Sequence, residues 1–254
     1  MEPRQIGTAT SSLTLFQQVG GTVGLAITGT IFGTTLIDEV PRQLVAKGVP
    51  EQFANRRQIA TQLYDVLADE RLNVAEKDAA VAEVIAYYKS RPDLAFSSVP
   101  KSMDIMDGQE YSLAFRERYP KFNGLIWAYH WLQVGLYEPL LVGTTPEERQ
   151  QGVRATVARF WQMLGDAPRT MPHQMPMTPA VAPRFAQRYP EASIIFDNLH
   201  SMHDVISDIL ANPAVPRNRK RAEILLAAQR YRDDTSFVIT PDAWRTMAGH
   251  MGIE

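Results

Sequence analysis

From Gln5 to Ile37 no residue is charged, and the heart of that run, Val19 to Ile37, reads VGGTVGLAITGTIFGTTLI. About twenty predominantly apolar residues is what a helix needs to cross the hydrocarbon layer of a bilayer. Gly and Thr at this density are poor formers of a helix in water, so a buried helix of a soluble core is the weaker expectation. In lipid, the pairs Gly20 with Gly24 and Gly29 with Gly33 let a second helix backbone approach closely. Residues 1–40 are therefore expected to form a membrane-spanning or membrane-embedded helix. It would meet the bilayer through 19–37 and a neighbouring helix through its glycines, with 41–54 as a linker.

Everything after that linker is too charged to lie in lipid. The second apolar run, Phe122 to Gly143, carries His130, Gln133, Glu138 and Pro139. One ionised carboxylate near mid-membrane costs about 2.5 kcal/mol or more, so this run is expected to be a buried core helix with a polar stripe. The chain as a whole is 45% hydrophobic and 21% charged, the balance of a protein that buries a core. Helix signals punctuate the rest. Asn73 with Glu76 forms a capping box opening a helix toward Tyr88, and Thr145-Pro146-Glu147-Glu148 opens one toward Leu164. Pro190 starts another through Ile195, Leu199, Met202, Ile206 and Ile209, and Pro216 to Tyr231 and Pro241 to His250 supply two more. SFVIT at Ser236 is too short to build a sheet, and Pro92 to Gly108 and Gly165 to Thr178 read as long loops. The expected class is all-α: one N-terminal membrane-type helix, then an irregular multi-helix bundle over 55–254.

Ala9 to Val49 resembles a late transmembrane helix of the major facilitator superfamily, in the branch of fourteen-helix drug:proton antiporters. Leu13, Phe16, Gly20-Gly21, Gly24, Ala26 and the Gly29-Thr30-x-Phe32 run carry the likeness. Gln17 departs from it, standing where those transporters usually have an arginine. Such a transporter needs about a dozen spanning helices around a midplane site, and this chain offers one or two. The resemblance therefore implies a fused or truncated fragment, inactive alone, or a helix reused as an anchor. It also implies a helix running outward from the cytoplasm, which would set the helical domain outside it. No family resemblance is found after Val49.

Several classes of chemistry are excluded early. There is no cysteine, hence no disulfide, thiolate metal site or cysteine nucleophile. A net charge of −2 leaves no footprint for nucleic acid, and Arg217, Arg219, Lys220 and Arg221 read as a solvated helix face. No phosphate loop, dinucleotide fingerprint, nucleophile elbow or zinc-protease helix is present. Ser201, between two histidines, points away from both. What remains is FDNLHSMHDVISD, where Asp197, His200, Asp204 and Asp208 recur at helical spacing on one face. His203 sits one step round, on the apolar stripe between Leu199 and Ile206. An imidazole with flanking carboxylates resembles half of a metal site in a bundle core, with His130 and Glu138 as the other half. Such donors suit zinc, iron or manganese. The plainer expectation is a solvated acidic face and a hydrogen-bonded core histidine. Met171, His173, Met175 and Met177 offer soft donors that would suit Cu(I), or ordinary packing. Trp127, Tyr129, Trp131 and Tyr137 read as core packing or as the lining of an apolar pocket. The leading expectation is a membrane-tethered helical domain of unassigned function, with the histidine-carboxylate face as its candidate site for a divalent metal. The transporter fragment and a metal-dependent hydrolase or oxygenase are the alternatives.

Overall fold

The computed structural model describes residues 58–92, 95–166 and 175–250. The expected membrane helix, the linker after it and the loop residues Met171 to Gln174 lie outside the described residues. The chain divides into two compact units, Met1–Gln62 and Leu63–Glu254, and the architecture below is that of the second.

Every regular element among the described residues is a helix. In chain order the elements are α1 (Gln58–Ala68), α2 (Val74–Lys89), α3 (Asp104–Asp107), α4 (Ala114–Arg118), α5 (Pro120–Gly135) and α6 (Tyr137–Val142). There follow α7 (Pro146–Gly165), α8 (Thr178–Val181), α9 (Pro183–Arg188), α10 (Pro190–Ala211), α11 (Arg217–Arg232) and α12 (Pro241–His250). The capping signals decide where several of them begin. The Glu76 amide donates to Asn73 Oδ1 at 3.0 Å, and the Asn73 amide donates back to Glu76 Oε2 at 2.8 Å. Thr145 and Glu148 repeat the exchange at the start of α7, with Pro146 at the first helical position. Each cap contributes about 1 kcal/mol. SFVIT makes only an isolated bridge, Val238 to Lys101. The stretch expected to be one loop from Pro92 to Gly108 contains α3.

The run from Phe122 to Gly143 is two helices, not one: α5 and α6 turn at Leu136. No helix among the described residues is long and apolar enough to cross a membrane. Pro139 in α6 lies against Gly152 of α7, where an added Cβ would stand 2.4 Å from the proline Cβ. Glycine there is what lets the two helices approach.

Helix α10 runs through the centre. From Ala192 to Ser201 all its residues but the partly exposed Leu199 are buried, so the stretch has no solvated face. Met202, Val205 and Ile209 pack with Phe96, Ile105, Met106, Tyr111, Ala228 and Tyr231 in one core cluster. Ile194 joins a second with Met175, Met177, Trp244 and Ala248. Phe196 stacks on Tyr137, which also stacks on Tyr64 and Phe185 with centroids 4.3 and 4.4 Å away. Burying each such side chain contributes about 1.5–3 kcal/mol. The basic stretch is only partly the solvated face expected of it. Arg217, Arg219 and Arg221 are exposed, but Lys220 Nζ donates to the carbonyls of Ile209, Leu210 and Asn212 and so caps the C-terminus of α10.

Candidate functional site

Helices α5 and α10 bring three histidines together. His130 and His200 are 4% and 7% exposed. Their rings stack with centroids 4.3 Å apart and planes 11° from parallel. His203 lies at the surface with its Nδ1 3.2 Å from His130 Nε2, and one of the two rings must donate. The exposure is the reverse of what the apolar stripe suggests. His203, placed by spacing on that stripe, is exposed, whereas His200 on the expected acidic face is buried. The physical reason is the burial of α10 on several sides, which makes azimuth a poor guide to solvent.

His130 and His200 are built to stay neutral. Burial, reinforced by the neighbouring His203, pushes His130 down to about 3. Burial and then His130 and His203 hold His200 well below the ordinary imidazole range. Among the described residues no carboxylate acts on either ring. His130 Nδ1 and His200 Nδ1 are buried and make no hydrogen bond, and the same holds for the indole nitrogens of Trp127 and Trp131 on α5. An unpaired polar atom of this kind costs about 1–3 kcal/mol, and native cores keep few of them.

The expected carboxylate ligands are engaged elsewhere. Asp197 Oδ1 accepts from the amide and hydroxyl of Thr178 at 2.8 and 2.7 Å, and Oδ2 accepts from Trp244 Nε1 at 2.8 Å. It therefore ties α8, α10 and α12 together; burial raises its carboxyl to about 7 against the pull of those donors. Glu138 takes the amides of Arg184 and Phe185 and caps α9. Asp208 takes the amides of Leu113 and Phe115 at 3.1 and 2.8 Å, and so holds Leu113 in a left-handed conformation with φ of 66°. Asp204 is half-buried, and burial raises it to about 7 although Arg116 opposes the shift. Three of these four carboxylates, Asp197, Glu138 and Asp208, thus go to three separate structural tasks.

A shared metal needs in-plane lone pairs that converge, and a parallel stack sends those of His130 and His200 past each other. Among the described residues no group of three or more His, Asp or Glu side chains is arranged to hold a metal ion. One pair does have suitable spacing. Two imidazole nitrogens on a tetrahedral zinc at 2.0–2.1 Å would stand about 3.3 Å apart, close to the separation of His130 Nε2 and His203 Nδ1. Of the expected copper donors, Met175 and Met177 are fully buried beside Trp244, in the core cluster of Ile194. Trp127 is packed with Met163, with Trp131 against them, and Tyr137 sits in the aromatic stack, while Tyr129 faces outward. Ser201 meets the Tyr231 hydroxyl and no histidine.

What sequence reasoning missed is the anchoring role of Thr178 and Trp244, which lie 19 and 47 residues from Asp197. The available signal was weak: an aspartate amid the apolar residues IIF and NL needs partners from somewhere. No family model, curated protein or solved structure matches the chain.

Proposed function

We propose that this chain is a membrane-tethered helical domain whose packing responds to protons through His130, His200 and His203, a sensing or binding module and not an enzyme. The observation that carries the reading is the buried His130–His200 stack at 4.3 Å, with no carboxylate among the described residues to neutralise an added proton. Two imidazoles in that position tolerate each other only while both are uncharged. Histidine is the side chain whose ordinary titration falls near physiological pH, and clusters of it serve as acid switches. His203, at the surface and bonded to His130, gives protons a route inward. The tether is the charge-free run Gln5 to Ile37. An extracytoplasmic setting, implied by the antiporter-like segment, would expose the domain to changing pH.

The test is amide hydrogen exchange of the whole protein between pH 7 and 5, corrected for intrinsic rates. Protection of α5 should fall with acid more steeply than that of α11. The double variant His130→Phe and His200→Phe should lose that difference. Equal acid responses in parent and variant would remove the trio from the function.

One observation favours a second reading, in which His130 Nε2 and His203 Nδ1 hold a divalent metal such as zinc: their 3.2 Å separation. A zinc-dependent rise in melting temperature that His203→Ala abolishes would support it.

A further inference from the structure

Helix α5 is apolar on both sides, yet only one side is packed. Trp127, Ala128, His130 and Val134 are buried. On the opposite face Phe122, Leu125 and Tyr129 recur at spacings of three and four and stay 55%, 42% and 50% exposed. Three large side chains on one exposed stripe are unusual for a solvated helix and mark an interaction surface. The helix contains no carboxylate, and its one charged residue is Lys121, at the edge of the stripe. Arg118 stands one turn before Phe122, with its guanidinium 5.5 Å from the Tyr119 ring centre. Tyr119 and Phe122 both pack against Phe115, 5.4 and 5.6 Å away, so the corner between α4 and α5 is an exposed aromatic cluster with basic neighbours. Aromatic and aliphatic side chains with arginine and lysine beside them are what a helix lying in a lipid interface presents. Since no described helix can cross a membrane, the contact would be in the plane of the interface.

We infer that the Tyr119–Phe122–Leu125–Tyr129 face of α5 lies against an anionic bilayer, with Arg118 and Lys121 meeting its headgroups. A protein partner would be expected to pair those two cations with acids and leave the tyrosines no advantage. An anionic lipid surface accepts both. The inference rests on the tethered reading above, because a tether is what keeps so small a surface at the membrane.

The cysteine-free chain allows a single labelled cysteine anywhere. The whole protein is prepared as Leu125→Cys and as Leu225→Cys, the latter on an exposed site of α11, and each carries an environment-sensitive fluorophore. Unchanged melting curves show that both fold. In vesicles of phosphatidylcholine with one third phosphatidylglycerol and spin-labelled lipid, the probe at 125 should shift to the blue. It should be quenched at least twofold more than the probe at 225. Lys121→Glu should halve that quenching while the protein still floats with the vesicles. Flotation with equal quenching at both sites would overturn this inference and leave the tether standing. Failure to float would overturn both. A blue-shifted probe at 125 that spin-labelled lipid does not quench would mean that protein, a second copy or another partner, covers the face, and would overturn it as well.

Discussion

Asp197 and His200 lie one turn apart on α10, both are buried, and their surroundings could hardly differ more. Every oxygen of Asp197 is met by a donor, from Thr178 on one side and Trp244 on the other. His200 lies flat on His130, with its Nδ1 unbonded. A buried polar group that is fully bonded fixes a fold. One left partly unbonded costs stability without adding specificity, and its retention calls for another use. The first cluster is a fastening between three helices; the second is a contact poised to change.

The largest effect tests the fastening. Asp197→Ala leaves the Thr178 amide and the Trp244 indole without an acceptor, and the Thr178 hydroxyl with only the Ser193 carbonyl at 3.4 Å. At about 1–3 kcal/mol for each stranded donor, the loss should be about 3 kcal/mol or more in denaturant unfolding. Thr178→Val with Trp244→Phe should relieve part of it when added to Asp197→Ala, because only the backbone amide of residue 178 is then stranded. A loss below about 1 kcal/mol would mean that the carboxyl is not the fastening.

The second effect sharpens the contrast through pH, where the two clusters pull in opposite directions. The histidines are held below their unfolded value of about 6.5. Their contribution is therefore fully present above that value and is lost as pH falls toward about 3. Asp197 and Asp204 are raised to about 7. The folded state then holds protons that the unfolded state has released, and their contribution is lost as pH rises from about 4 through 7. Between about pH 4 and 6.5 the slopes oppose, and the parent should vary little. Asp197→Asn should leave Asp204 to offset only one of the two rings, with stability then falling on acidification by a net of up to about 1.4 kcal/mol per pH unit. His200→Phe should tilt the curve the other way. Slopes of the same sign in both variants would erase the contrast.

The sequence makes much of this architecture legible and little of the contrast. Asn73 with Glu76 and Thr145 with Glu148 mark helix starts because a cap is a local exchange within four residues. Prolines mark α10 and α12 for the same reason. The meeting of His130 with the α10 histidines follows from both lying on long apolar helices that need partners. The partners of the carboxylates are illegible, because they come from short elements whose positions are set by packing. Glu138 shows this clearly: its eight-residue spacing from His130 suggests one shared face. Yet α5 ends at Gly135, and the turn at Leu136 carries Glu138 to the start of α9. The spacing argument fails where the helix stops. Glu138→Gln should accordingly behave as a weakened cap, costing about 1 kcal/mol and leaving the pH dependence of the histidines untouched.

The smallest effect is that of His203, and it separates the two uses of the trio. At neutral pH an exposed side chain contributes little, so His203→Ala should change unfolding by about 0.5 kcal/mol or less. Its consequences should appear only when something is added. If the trio responds to protons alone, zinc leaves the melting temperature of parent and variant unchanged, and the variant shows weaker acid-induced loss of protection in α5. If His130 Nε2 and His203 Nδ1 share a metal, zinc at tenfold its dissociation constant stabilises the parent by about 1.4 kcal/mol. The alanine variant then gains nothing, and a chelator returns the parent to the variant's value. A pair of nitrogens without a third protein ligand holds zinc weakly, and the stacked His200 cannot turn its lone pair toward them without leaving His130. Hydrogen exchange and melting on the same two proteins therefore decide whether the imidazoles of α5 and α10 await a proton or an ion.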